Sequence, residues 1–364
     1  MTDDPHPGKA GSEGRAHAQP ANPVLAEVWR GPVLESVHRG RVAVATPEGQ
    51  VVAGLGALDG AILPRSASKP LQAMALVASG AADRAGLGTR HLALACASHS
   101  AQPEHVGLLT DWLASLGLGE AALACGAHPP LDEAAAHALA RAGTAPDQRH
   151  NNCSGKHAGF LTASRDLGGG RDYLSIDHPV QRAVMAGLSE MTGADLGPYA
   201  VDGCSAPNHA MSLAALATGF ARLGTPAGLG ATHRDAAGRL CRAMAAHPVL
   251  VAGRGRANTI LLQATAGRAV MKSGAEGVYA AALPARGLGV AVKIDDGADR
   301  AAQAVIAAVL VALGAADAAH PDIAALIDRT LQNRRGIAHG RLLATAETRR
   351  LTVPNALVSG RALG

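Results

Sequence analysis

The chain has 364 residues, 48% of them hydrophobic but only 2% aromatic, and a formal net charge of +4. That length can bury a full core as one large or two modest domains, and with so few rings the core must be built from Ala, Val and Leu. The mild charge, the lack of any Lys/Arg run and the shortage of rings for base stacking argue against nucleic-acid binding, and no apolar run is long enough for a membrane helix.

Residues 1–23, MTDDPHPGKAGSEGRAHAQPANP, are polar and rich in Gly and Pro, without an apolar signal core. A disordered tail and a cytoplasmic location are expected. The cysteines are Cys96, Cys125, Cys153, Cys204 and Cys241. An odd number scattered through a large chain argues against a disulfide framework and leaves metal binding or catalysis open.

From Val24 to about Gly56 the pattern is strand-like, and VAVATPEGQVVAGLG reads as a hairpin around Pro-Glu-Gly-Gln. From Pro70 to about His247 apolar residues recur near helical spacing, as in PEHVGLLTDWLASLG, QRAVMAGLSEMTG and RDAAGRLCRAMAAH. One strand-like run, HLALACASHS, interrupts this series. After Pro248, the runs RAVMKSGA, GVYAAALP and GLGVAVKIDDG predict an antiparallel meander, followed by an Ala-rich helix over about 299–313 and a helix in PDIAALIDRTLQ.

Sequence-distant strands around a helical insertion join one sheet, because neither set alone buries its face. The expected fold is therefore α/β: an antiparallel sheet body from 24–60 and 265–297, flanked by helices, with a helical subdomain from 66–250 and a cleft between them. One catalytic domain is expected over 24–336, with 337–364 as a C-terminal segment of no assigned structure.

Chemistry concentrates at the boundaries. Arg65-Ser66-Ala67-Ser68-Lys69-Pro70 holds a Ser-x-x-Lys spacing, in which a neutral lysine one turn after a serine can take its proton. Pro70 disfavours helical geometry at Lys69 and places the pair at a helix entry. Ser68 has the right chemistry without the spacing. Ala95-Cys96-Ala97-Ser98-His99-Ser100 offers hydroxyls and an imidazole in a loop, and Val270-Met271-Lys272-Ser273-Gly274 is a strand whose small hydroxyl and Gly let a substrate backbone approach its edge. Ser-x-x-Lys, a loop serine and a late Lys-Ser-Gly strand follow the motif order of penicillin-recognising serine enzymes.

His150-Asn151-Asn152-Cys153-Ser154-Gly155-Lys156-His157 lies outside that pattern, at a loop-to-helix junction dense in reactive groups. With Asp202-Gly203-Cys204-Ser205-Ala206-Pro207-Asn208 it supplies two thiols, an amine and a carboxylate. Two Cys and a nitrogen donor could hold zinc with a water in the fourth position. By residue type His150, His157 or His209 precedes Lys156 as that donor.

Together, VLESVHRG, PRSASKPLQ, ACASHS, HNNCSGKHAGFL, YLSIDHPVQ, VDGCSAPNHAMSLAALA and MKSGAEGVY resemble the rhizobial-type (class 3) L-asparaginases, the asparaginase II family, from about Val24 to Gly336. The resemblance implies a serine β-lactamase/glutaminase-like fold, a homodimer and hydrolysis of L-asparagine to L-aspartate and ammonia. It implies Ser66 as nucleophile with Lys69, Ser98 and Lys272 as a second Ser–Lys pair, and Cys153, Lys156 and Cys204 as zinc ligands. Asp202 then lies by the metal or substrate, and Arg65, His99 and Gly274 join it as substrate-binding positions. The rival functions are a serine glutaminase or β-lactamase-like hydrolase, which has no use for the Cys–Lys–Cys set, and a non-catalytic zinc-binding protein, which has no use for the Ser–Lys pairs.

Overall fold

The computed structural model describes residues 21–354; the first twenty residues of the expected tail and residues 355–364 lie outside it. The body is an antiparallel sheet of β1 (Val24–Arg30), β2 (Val33–Ala45), β3 (Val51–Leu55), β4 (Val270–Gly274), β5 (Val278–Leu283), β6 (Leu288–Ile294), β7 (Asp328–Gln332) and β8 (Ala338–Ala344). The order is β7-β8-β1-β2-β6-β5-β4, with β3 also paired to β2. The expected hairpin pairs Val42 with Leu55 and Val44 with Ala53, and the meander pairs Lys272 with Ala280 and Val290 with Ala281.

Every residue of β5 is buried, so helices cover both faces of the sheet there. Helix Leu213–Gly224 packs on β6, β5 and β2, and helix Asp299–Ala312 packs on β8, β6, β5 and β1. Small residues permit this closeness. An ideal Cβ on Gly289 would fall on the Ala217 carbonyl, so the helix rests directly on β6. The core is rich in Ala, Val and Leu, as the aromatic shortage requires.

Two elements differ from the sequence expectation. HLALA is part of helix Thr89–Ala95, not a strand. Leu92, Ala93, Leu94 and Ala95 are all buried, so beyond its exposed first turn the helix shows no polar stripe and its short apolar run reads like a strand. DRTLQ is β7 rather than the end of a helix; helix Pro321–Ile327 stops before it. Strands β7 and β8 extend the sheet through β1, where Ala26 pairs with Ala344. Among the described residues, no helix is long and apolar enough to cross a membrane.

Candidate active site

Arg65–Ser68 forms a single 3-10 turn that runs straight into helix Lys69–Gln72. Pro70 falls in the first turn of that helix, where a missing N–H breaks no hydrogen bond, and Lys69 takes helical angles of φ −54°, ψ −40°. Ser66 and Lys69 thus lie three apart in a turn whose i and i+3 side chains eclipse. Ser68 Oγ donates to the Arg65 carbonyl at 2.9 Å, which engages the rival serine in the turn.

Lys69 is buried, and its Nζ donates to Ala97 O at 2.6 Å, Ser98 Oγ at 3.0 Å and Asn152 O at 3.4 Å. None of these bonds goes to Ser66. From the sheet side, Lys272 is 0% exposed and its Nζ donates to Ser98 Oγ at 2.9 Å and to Ser273 O at 2.6 Å. Burial, then the charge of Lys69, pulls the Lys272 amine well below the usual lysine range. Ser98 is held by its own N–H on Val251 O at 2.9 Å. The predicted residues Ser98, Lys69 and Lys272 therefore form one chain of polar contacts.

Gly274 explains how the two halves come so close. A Cβ there would lie 2.7 Å from Pro64 O and 2.9 Å from Ala67 N, so β4 can meet the Ser66 turn only with Gly at this position. Arg65 has a left-handed φ of 50°, a strained conformation for a residue with a side chain. Its Nε donates to Asp202 Oδ1 at 2.6 Å, which ties the strained residue to the hairpin that carries Cys204. Burial opposes the Asp202 charge, but the Arg65 bond, Lys156 and the Gly203 amide outweigh it and hold the carboxyl below its usual range.

His99 has a different environment from the one a substrate contact needs. It is 0% exposed, its Nδ1 accepts from the Ala101 N–H at 3.1 Å, and its Nε2 faces Ser154 Oγ at 2.8 Å. With both ring nitrogens engaged, His99 positions the loop that carries Ser98. Burial keeps it neutral, well below the usual imidazole range.

Cys153 caps helix Ser154–Leu167 and Lys156 sits in its first turn. Gly155 lets that helix cross helix Thr89–Ala95, since a Cβ would fall on the Leu94 carbonyl. Lys156 Nζ donates to Cys204 Sγ at 3.1 Å. The neighbouring Cys204, followed by the charges of Lys69 and Lys156, pulls the Cys153 thiol well down against burial, while Cys204 is pushed up. The three expected ligands thus converge as two soft thiols and an amine, all buried. Among the described residues no group of three or more His, Cys, Asp or Glu side chains forms a metal cage. Of the histidines that compete by residue type, His150 Nδ1 lies 3.1 Å from Asp147 Oδ1 and His157 Nδ1 lies 2.8 Å from the Tyr173 hydroxyl, while His157 Nε2 and His209 Nε2 are buried without a hydrogen-bond partner.

Sequence reasoning missed the supports of this site. Asn151 Nδ2 donates to Cys125 O and Gly126 O at 2.8 and 2.9 Å, while its Oδ1 accepts from the Cys153 N–H at 2.8 Å. Asn258 Oδ1 accepts from the Ser273 N–H at 3.0 Å and its Nδ2 donates to Met271 O at 3.3 Å, which clamps the strand around Lys272. The carbonyls of Ala97 and Asn152 have no signature at all, because every residue has one. Asn151 stands inside a dense motif that could have flagged it; Asn258 has no such local signal.

Two solved structures are distantly similar. One is a beta-lactamase from Mycobacterium bovis, 16% identical with a TM-score of 0.39, the match covering 75% of this chain and 94% of that one. The other is Mglu in its native form, 17% identical with a TM-score of 0.41, covering 73% of this chain and 61% of that one. Nothing about chemistry follows from likenesses so remote. No curated protein sequence matches the chain. The profile described as L-asparaginase II matches residues 26–344, which take in Ser66, Ser98, Cys153, Cys204 and Lys272 along with nearly all of the sheet, and the chain belongs to that family.

Proposed function

We propose that the protein hydrolyses L-asparagine to L-aspartate and ammonia through an aspartyl ester on Ser66. The observation that carries this reading is the meeting of two buried lysines, Lys69 and Lys272, on the hydroxyl of Ser98, with Ser66 one turn before Lys69. Ser66 Oγ attacks the side-chain carboxamide carbon. Its proton passes by Lys69 and Ser98 to Lys272, the amine that burial favours in its neutral form. The tetrahedral intermediate collapses as the nitrogen takes a proton back from this chain and leaves as ammonia. Water, activated by the same amines, then cleaves the ester to release aspartate. Backbone N–H groups where Gly274 meets the Ser66 turn are the expected oxyanion donors.

The Arg65–Asp202 pair supplies opposite charges beside Ser66, suited to the α-carboxylate and α-ammonium of an amino-acid substrate. Cys153, Lys156 and Cys204 fit a zinc ion by donor chemistry: soft, buried and convergent, with a fourth position left for water or substrate. Bound there, zinc would supply a Lewis acid beside the substrate-binding charges. A homodimer accompanies this reading, from the family resemblance. The test is ammonia release from L-asparagine, L-glutamine and a β-lactam by the purified protein and by Ser66→Ala. Asparagine turnover that survives the substitution at near-normal rate overturns the serine route in favour of a metal-activated water.

A further inference from the structure

Strands Tyr199–Val201 and Pro207–His209 pair as Tyr199↔His209, Ala200↔Asn208 and Val201↔Pro207, and the Asp202 N–H extends the pairing by donating to Ala206 O at 3.0 Å. Opposed residues share a face and neighbours alternate, so Ala200, Asp202, Ala206 and Asn208 lie on one side of the hairpin. Strand Pro207–His209 is buried throughout, with Asn208 2% exposed, whereas Val201 on the paired strand is 74% exposed, so the Asn208 strand is the inner one of the two. At one end of that side Asp202 grips Arg65, the residue before Ser66. Just beyond the other end, Met211 pairs with Ile62, four positions before Ser66. Asn208 lies between two anchor points on the segment that delivers the nucleophile.

Its amide is unsatisfied at both ends. Neither Asn208 Nδ2 nor Asn208 Oδ1 has a hydrogen-bond partner, although both are shut off from solvent, and no other side chain among the described residues is left so at two atoms. An unpaired buried amide is costly, so a donor and an acceptor held this way call for a partner that enters the site. We propose that Asn208 is a specificity-determining residue that pairs with the carboxamide of the substrate, a proposal that rests on the asparaginase reading above. A carboxamide presents one C=O for Nδ2 and one N–H for Oδ1. The charged α-groups have a better match in Arg65 and Asp202. The carboxylate of the product has no N–H to offer Oδ1, so the contact that holds L-asparagine weakens once L-aspartate has formed.

The test is calorimetric binding in a Ser66→Ala background, which blocks acylation, with L-asparagine and L-aspartate titrated separately. Asn208→Ala and Asn208→Leu are each added to that background. Both are expected to weaken L-asparagine binding by roughly tenfold to a hundredfold and L-aspartate binding far less. Asn208→Leu should also keep or raise the Tm, since it removes two unpaired polar atoms from a buried position. An equal loss for both ligands, no loss for either, a lowered Tm for Asn208→Leu, or failure of both variants to fold overturns the proposal and makes Asn208 structural. Ammonia release by the unsubstituted protein is measured alongside. If it is absent, the asparaginase reading falls and takes this proposal with it. If it is present while the asparagine-to-aspartate affinity ratio ignores Asn208, the assignment of Asn208 alone falls.

Discussion

Lys69 and Lys272 reach the hydroxyl of Ser98 from opposite halves of the molecule, at 3.0 and 2.9 Å. Lys69 comes from the helix entry after Ser66, and Lys272 from β4 at the sheet edge. Two ammonium groups so close in a buried site repel each other, and removal of one proton relieves both the repulsion and the desolvation. A neutral amine at Lys272 keeps a lone pair, so its bond to Ser98 can reverse and take the hydroxyl proton while Ser98 accepts from Lys69. The contact is therefore a proton path as well as a packing feature.

Lys272→Met should reduce kcat for ammonia release by about 10²- to 10⁴-fold with little change in KM. Its stability should move the other way. Burial lowers the Lys272 pKa in the folded state, while the unfolded lysine stays near about 10.4. Between those values the unfolded chain binds a proton that the folded chain lacks, so stability rises with pH across that window. The substitution removes this dependence: denaturant unfolding should give a flatter slope from neutral to alkaline pH and a variant no less stable at neutral pH. A variant that is both active and steeply pH-dependent would refute the neutral-amine role.

Gly274→Ala tests the approach of sheet to nucleophile. The new Cβ would meet two backbone atoms, Pro64 O and Ala67 N, neither of which can swing aside. The Ser66 turn or β4 must shift, which should cost about 1–3 kcal/mol in chemical unfolding and lower kcat more than tenfold, roughly the penalty for misplaced reacting groups. Unchanged kcat would mean that the turn can relax without moving Ser66.

Much of this site was legible because its residues are chemically loud. A lysine spaced from a serine, a Lys-Ser-Gly strand and two thiols beside an amine announce themselves, and their positions at element boundaries follow from periodicity. What was hidden depends on surroundings. His99 reads as a ligand-contacting imidazole, yet Ala101 and Ser154 absorb both nitrogens. Helix Thr89–Ala95 is buried throughout its last four residues and so lacks the polar stripe that marks a helix. Strands β7 and β8 are short and half-exposed, with little hydrophobic signal, and their place in the sheet comes from pairing to β1.

Arg65 and Asp202 should behave as a unit. Their side chains are 26% and 10% exposed and 2.6 Å apart, and each supports the other's backbone, the strained Arg65 and the Cys204 hairpin. Arg65→Ala and Asp202→Ala are each expected to raise KM for L-asparagine, and the double variant should be little worse than either alone. The coupling in a double-mutant cycle should be about 0.5–3 kcal/mol. Strict additivity would show that the two act on the substrate separately.

Zinc content separates the metal reading from a bare thiol cluster. Protein purified from zinc-supplemented medium should carry about one zinc per chain by elemental analysis, with Cys204→Ser and Lys156→Met each stripping it. Chelation should lower the Tm, because a ligand bound only to the folded state stabilises it by mass action. Metal-free protein with an unmoved Tm would remove zinc from the account while leaving the Ser66 chemistry to its own test.

Acid should loosen the fold through its buried histidines. Burial drives His99 well below the usual imidazole range and lowers His105, which stacks on it at 5.1 Å between ring centroids. Below about pH 6.5 the unfolded chain takes up protons that these folded imidazoles refuse, so stability falls as pH falls. Each such histidine adds up to about 1.4 kcal/mol per pH unit to that slope. His99→Gln, which keeps a group able to bond Ser154, should lose one proton's worth of the acid slope in unfolding curves measured between pH 7 and pH 5. An acid limb as steep as in the parent protein would show that His99 already carries its proton in the fold, and would undo the neutral imidazole on which the loop geometry at Ser98 depends.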